Sequence, residues 1–323
     1  MNAMFILRFA ALALFFCGIA EGETSRLLVD SDRLLFSSPQ ERETEPESFI
    51  VFNHSDEVME NLSFRITEDD TEAFALKTEH SLSLGPGSSI SAKVVFAPAA
   101  GALGVLRGRC ELVSDKGVPL GSVELVGLSA PGLEGHGEAT LSQAVEALGL
   151  GIDVGWESLG NHTRSELVGE EVRAGTFRKA SPGLVTIRPV ARYSPDFLLP
   201  FGIYDAGEAE PSLRTVGTLA EATKTRFEQN CLMPSLASGT IECDPGDMEF
   251  GIFTASPSHV AYTQDEVNER LEPEHVAHAV RVYPAKDERG VRILNTFLVC
   301  FEEARNGDYQ DYVFLVSNVA PVQ

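Results

Sequence analysis

Two strand-length apolar runs close the chain, Leu294–Phe301 (LNTFLVCF) and Tyr312–Val319 (YVFLVSNV), and ten residues separate them. Runs this rich in Phe, Val and Leu read as a buried antiparallel pair. A chain that ends this way must build a sheet around the pair. The connecting loop holds Glu302, Glu303, Asn306, Gly307, Asp308, Gln310 and Asp311, and Asn306-Gly307 is a turn signal. Its four carboxylates repel one another unless water or a cation screens them. A hard cation such as Ca²⁺ takes six to eight oxygen ligands from carboxylates, amides and carbonyls. The residues alone leave both readings open, a solvated loop or a cation site. No EF-hand spacing is present. Two other acidic stretches are candidates to converge on the loop: Asp244-Pro245-Gly246-Asp247, and Asp265 with Asn268.

The N-terminus has the form of a signal peptide. Arg8 precedes an apolar run from Phe9 to Ala20, too short for a membrane span, and Gly18-Ile19-Ala20 favours cleavage before Glu21. Acylation at Cys17 is the lesser alternative, since Phe15 and Phe16 are bulky where a lipoprotein site wants small residues. No later segment is long and apolar enough to span a membrane. The expected location is extracellular, periplasmic or at the cell surface. The formal net charge of −23 becomes −24 when Arg8 is removed. That balance argues against nucleic-acid phosphates and anionic lipid surfaces as partners.

With 323 residues the chain has room for about two domains of ~100–200 residues. Residues 27–130 read as short strands cut by turns. Leu62, Phe64 and Ile66 alternate with Ser63, Arg65 and Thr67, the pattern of a half-buried strand. Ser48–Asn53, Ser89–Phe96, Leu106–Val113 and Ser122–Leu128 are further strands, with turns at Gly85-Pro86-Gly87 and 98–101. About seven strands at this spacing predict an immunoglobulin-like sandwich. The succession Leu84-Gly85-Pro86-Gly87-Ser88, Val94-Val95-Phe96-Ala97-Pro98 and Val123-Glu124-Leu125-Val126-Gly127 resembles the Hydin/abnormal-spindle type of immunoglobulin-like domain. That resemblance covers about 100 residues and implies a module without catalysis.

Residues 129–137 (SAPGLEGHG) read as a linker. Thr140 with Gln143 forms a capping box, and Leu141, Ala144, Val145 and Leu148 give the helix a packing face, ended by Gly149. Residues 138–323 are again β-rich, with strands at Leu184–Tyr193, Phe197–Tyr204, Arg214–Leu219, Phe250–Thr254, Ala279–Tyr283 and the final pair. A second capping box, Thr263 to Glu266, opens a short helix ending near Leu271. The expectation is an all-β protein of two sandwiches, the second larger, jelly-roll-like, and carrying two short helices.

Phe301-Glu302-Glu303, Gly307-Asp308 and Tyr309-Gln310-Asp311-Tyr312-Val313 together resemble the end of an uncharacterised β-sandwich domain of secreted bacterial proteins, F-E-D…G-D-x-D-[YF]-N-D-x-V. The chain departs from it at Glu303, at Gln310, and by lacking the x-D step before the aromatic. The resemblance implies a calcium-binding, adhesin-like sandwich. Its ligands would be Glu302, Asp308 and Asp311, with Glu303 and Asn306 as second choices and Asp244 and Asp247 behind them.

Four cysteines remain after processing. Cys231 and Cys243 are the plausible disulfide, while Cys110 and Cys300 lie in apolar runs as buried thiols. His275-x-x-His278 suits half a zinc site, but it sits in a loop without a third ligand. Gly149-x-Gly151 follows a helix, the wrong context for a dinucleotide loop. No G-x-S-x-G or H-E-x-x-H occurs. Trp156, the only Trp, lies in a polar loop as a sugar-stacking candidate or an edge-of-core aromatic. Asn53, Asn61 and Asn161 head glycosylation sequons. The expected function is an exported, non-enzymatic binding or surface-structural protein, with a glycan or a cell-surface protein as partner. The rival is a polysaccharide hydrolase with dispersed carboxylates.

Overall fold

A computed structural model describes residues 27–69, 71–78, 82–160, 162–223 and 229–322; the signal-peptide stretch, Cys17 and Asn161 lie outside them. Turns divide residues 27–130 into nine strands: β1 (Leu27–Val29), β2 (Arg33–Pro39), β3 (Glu47–Asn53), β4 (Met59–Thr67), β5 (Phe74–Leu76), β6 (Leu82–Leu84), β7 (Ser89–Phe96), β8 (Gly104–Val113) and β9 (Pro119–Ala130). One sheet has the order β1-β3-β7-β5 and the other β2-β9-β8-β4-β6. The first edge of the chain is thus split between sheets, and β2 runs parallel to β9 from Arg33 opposite Glu124 to Pro39 opposite Ala130. This is an immunoglobulin-like sandwich by strand order. Leu62 and Phe64 point into its core and Ile66 is half-buried. Phe36, Phe74 and Phe96 meet there with ring centroids 5.1–6.1 Å apart. Gly127 makes room for them, because a Cβ at that position would lie 2.2 Å from the Phe96 ring.

After a short 3₁₀ turn at Gly135–Gly137, α1 (Leu141–Ala147) has the expected capping box: Thr140 Oγ1 accepts from Gln143 N–H and Gln143 Oε1 accepts from Thr140 N–H. The remaining strands are β10 (Thr176–Lys179), β11 (Val185–Arg192), β12 (Leu199–Asp205), β13 (Leu213–Leu219), β14 (Cys231–Leu232), β15 (Leu236–Gly239), β16 (Glu242–Cys243), β17 (Phe250–Ala255), β18 (Val260–Tyr262), β19 (Val280–Lys286), β20 (Arg292–Phe301), β21 (Tyr312–Ser317) and β22 (Val319–Val322). One sheet runs β15-β13-β12-β17-β10-β22 with β18 on β17; the facing sheet runs β14-β11-β21-β20-β19 with β16 on β11. The second helix, α2 (Asp265–Leu271), lacks the predicted capping box. Thr263 is drawn away, and its hydroxyl accepts from Ile252 N–H instead.

The β14-β11-β21-β20-β19 sheet is covered on both faces. Phe297, Val299, Phe301, Tyr312, Phe314 and Val316 face the core shared with the opposite sheet. Leu298, Cys300 and Val313 alternate with them and pack with α1 and with Val126, Leu128 and Ala130 of β9. This double burial is why β20 and β21 read as unbroken apolar runs rather than alternating ones. The last predicted strand is broken at Asn318, which has φ +63°. Its side chain accepts from Ser181 N–H and donates to the carbonyls of Ser181 and Leu184, and beyond it β22 joins the opposite sheet beside β10. β9 extends to Ala130, so it takes in the first two residues of the predicted linker. No described helix is long and apolar enough to cross a membrane.

Candidate functional site: a buried carboxylate cluster

β20 ends at Phe301 opposite Tyr312 of β21, and the connecting loop folds back over the end of its own sheet. Only Ala304, Arg305 and Asn306, at the tip, are exposed. Tyr309, with φ +59°, turns its ring inward and its hydroxyl donates to His278 O at 2.6 Å. Gly307, with φ +73°, accepts at its carbonyl from His162 N–H, and a Cβ there would lie 2.6 Å from that nitrogen. The 162–163 segment thus grips the loop from outside.

This folding draws Glu302, Asp308 and Asp311 together. One oxygen from each lies within 4.8 Å of the others, and the residues are 1%, 2% and 6% exposed. Backbone N–H groups aim at them: Glu302 accepts from Ala304 and Asp308, each at 2.9 Å, and Asp311 accepts from Glu303. Asn306 Nδ2 donates to Asp308 Oδ2 at 2.6 Å, while Asp308 Oδ1 is buried with no hydrogen-bond partner. Among the described ion pairs, none joins these three carboxylates to a basic side chain. Burial, then the charge of Asp308, pushes the Glu302 carboxyl up to about 7. Burial raises Asp308, and burial with the charges of Glu302 and Asp308 holds Asp311 well above the usual carboxylate range. A cluster in this state must either take up protons or hold a cation.

The other predicted ligands are placed elsewhere. Glu303 Oε2 accepts from the Tyr312 hydroxyl at 2.5 Å and stays outside the cluster. Asn306 contributes its amide nitrogen to Asp308 rather than an oxygen to a shared centre. Asp244 and Asp247 do not converge on the loop. Asp244 follows Cys243, which sits opposite Val185, whereas the loop re-enters the sheet at Tyr312 opposite Arg192. Those positions are seven residues apart on β11, about 23 Å at ~3.3 Å per residue. Asp244 pairs instead with Lys179 at 2.8 Å and accepts from Gly246 N–H. The same spacing rules out the predicted disulfide. Cys231 pairs opposite Arg192 and Cys243 opposite Val185, far beyond the ~7 Å Cα limit, and no bond joins them. Cys110 and Cys300 are buried thiols, both raised by burial.

Trp156 is also inside, 9% exposed, so it offers no platform for a sugar ring. His162 stacks on it at 4.3 Å and the Arg281 guanidinium lies 5.3 Å from its ring centre. Arg281, on β19, lies over the Tyr309 ring, forms a buried ion pair with Glu171, and donates to the carbonyls of His162 and Arg164. The two histidines of His275-x-x-His278 part company. His275 stacks on His259 at 3.9 Å. His278 is held between Asp265 at 2.9 Å and Glu171 at 3.0 Å. Burial lowers the His278 imidazole, but the two carboxylates outweigh it and bring it up to about 9. Asn268 bonds to the backbone of Tyr262 and Ala277 and does not approach the loop.

One participant has no signal in the sequence. Glu138, at the end of the 129–137 stretch, accepts from Gln310 Nε2 at 3.1 Å. Burial and the charge of Asp308 push its carboxyl up to about 7. Its 172-residue separation from Gln310 hides it from any local pattern.

No protein-family model matches the chain and no curated protein resembles it. Among solved structures, an MSP family member from C. elegans is 12% identical, covering 33% of this chain and 100% of its own, with a TM-score of 0.24. A PapD-like domain of human CEP192 is 11% identical over 38% of this chain and 97% of its own, with a TM-score of 0.25. The secreted serine protease VesC from Vibrio cholerae is 11% identical over 92% of this chain and 51% of its own, with a TM-score of 0.27. The strand order described above, not these likenesses, defines the fold.

Proposed function

We propose that this chain is a non-enzymatic binding or structural protein of two β-sandwiches, whose second sandwich is stabilised by a Ca²⁺ ion held by Glu302, Asp308 and Asp311. The observation that carries the reading is the buried three-carboxylate cluster, which has no basic partner among the described ion pairs. Oxygens on opposite sides of a Ca²⁺ at ~2.4 Å stand about 4.8 Å apart, the span within which these three carboxylate oxygens lie. A divalent charge at their centre would remove both the repulsion and the desolvation penalty. The signal-peptide form of the N-terminal sequence supports export, to where Ca²⁺ is available at the millimolar levels that extracellular modules use. The hydrolase alternative has less behind it. The cluster is closed to a substrate, and its carboxylates crowd together rather than flanking a bond at ~5–9.5 Å. His278 has both ring nitrogens committed to carboxylates, so at neutral pH it has no lone pair to act as a base. The burial of Trp156 removes the residue that favoured a glycan partner, leaving a surface protein as the partner the reading retains.

The test is thermal denaturation of the mature chain in CaCl₂ and in chelator, beside Asp308→Asn/Asp311→Asn. A ligand specific to the native state adds RT ln(1 + [L]/Kd), ~2.7 kcal/mol at a hundredfold excess over Kd. The wild type should melt higher in Ca²⁺. The variant should lose that shift, yet in chelator melt no lower than wild type, because two repelling charges are gone. No shift for the wild type at millimolar Ca²⁺ would refute the reading.

A further inference from the structure

The cluster does not end at its three carboxylates. Gln310 is fully buried on the same loop, with its Oε1 lacking a hydrogen-bond partner and its Nε2 bonded to Glu138. Asp308 Oδ1, inside the cluster, is also buried and unpartnered. These are oxygens of the kinds Ca²⁺ accepts, an amide carbonyl and a carboxylate. Glu138 belongs to the connection between the sandwiches, not to the loop. It directly follows a tight turn in which Gly132 N–H donates to Gly137 O at 2.7 Å and Glu138 N–H donates to Gly135 O. Leu133 O in that turn accepts from Asn230 Nδ2 at 2.7 Å, so the connection lies against the second sandwich. Glu138 and Asp308 are both acidic, and Gln310 stands between them.

Resting on the calcium reading above, we infer that Glu138 is an outer carboxylate of the cation site, and that loading the site clamps the 132–138 connection onto the second sandwich. With the cation in place, the charge of Asp308 is neutralised and no longer repels Glu138. Gln310 can then keep its amide nitrogen on Glu138 while its oxygen serves the cation. Without the cation, two acidic groups face each other across one amide with nothing to offset them, and the connection is loosened. Glu138 acts through Gln310 and is a positioning residue. Outer partners of this kind alter metal affinity by about ten- to hundredfold when removed.

The experiment uses the full mature chain with CaCl₂ as the probe. Calorimetry reads Kd, and hydrogen–deuterium exchange reads protection of residues 132–140 and 302–311 separately. For wild type, Ca²⁺ should protect both segments. Glu138→Gln, isosteric and so safe for folding, and Gln310→Leu should each weaken Kd about tenfold or more. Both should keep Ca²⁺-dependent protection at 302–311 and lose it at 132–140. The inference is overturned if wild-type protection is confined to 302–311, or if Glu138→Gln binds and protects as wild type does. Absence of any binding heat or protection in the wild type overturns the calcium reading itself, a distinct result.

Discussion

Arg281 ties several parts of the second sandwich together. It is buried beneath Tyr309 and Trp156, it neutralises Glu171, and it ties down the carbonyls of His162 and Arg164. Arg281→Met keeps the packing volume but leaves Glu171 charged in the interior, with His278 its remaining cationic neighbour. Breaking a buried pair from one side costs about 3–5 kcal/mol. Denaturant titration should show a loss of that size. Arg281→Lys should recover little of it, because an ammonium cannot match a planar fork spread over a carboxylate and two carbonyls. Neither role was readable from the sequence, where Arg281 is one more polar position in a strand. The acidic loop was partly legible. Glu302, Asp308 and Asp311, the three that the resemblance implied as ligands, are the three that converge. Glu303 and Asn306, the second choices, and Asp244 and Asp247 behind them carry the same kinds of oxygen but stay outside the cluster. Which oxygens face inward depends on the register of β20 with β21 and on where Tyr309 turns, and composition does not encode that.

The elements show where local rules hold and where tertiary contacts win. The Thr140 capping box forms because both partners lie within one turn. The Thr263 box does not, because the Ile252 amide of β17 competes for the same hydroxyl. Strands β3, β4, β7, β8 and β9 of the first sandwich were legible, β4 from its alternation, whereas β1, β2, β5 and β6 were not. β14, β15, β16 and β18 have two to four residues each and carry too little pattern to find. Around α2, His278 joins Asp265 on the helix to Glu171 in the stretch before β10, with Arg281 as the facing cation. Its folded-state pKa of about 9 is above the unfolded value of 6.5. A raised histidine stabilises fully below the unfolded value, and that contribution declines as pH rises from ~6.5 through 9. Stability measured by denaturant between pH 6 and 9.5 should therefore fall with pH in wild type. His278→Gln should flatten that fall and be less stable at pH 6; an unchanged slope would remove the ion bridge from the account.

At the scale of the whole molecule, the two sandwiches share an apolar layer. Val126, Leu128 and Ala130 of the first meet α1, Leu298, Cys300 and Val313 of the second. Tyr193 O–H meets Ser37 Oγ at 3.1 Å, and Arg33, paired with Glu124 inside the first sandwich, also pairs with Glu288 across the same junction. The outer face of the β14-β11-β21-β20-β19 sheet therefore has no solvent-ready form of its own. A fragment beginning at residue 132 would lose Val126, Leu128 and Ala130 and bare that face. It should bind an apolar dye and melt below the mature chain, which should itself unfold in one calorimetric transition. The chain's only Trp makes the coupling measurable, because Trp156 lies beyond the first sandwich, in the 138–323 region, yet belongs to the shared layer. Leu128→Ala, which opens a cavity in the shared layer from the first sandwich's side, should destabilise the Trp156-reported transition by about 2–5 kcal/mol. A Trp156 signal that ignores Leu128→Ala, together with two separate heat-capacity peaks, would mean that the sandwiches fold independently. The shared layer would then be a contact between finished modules rather than a common core.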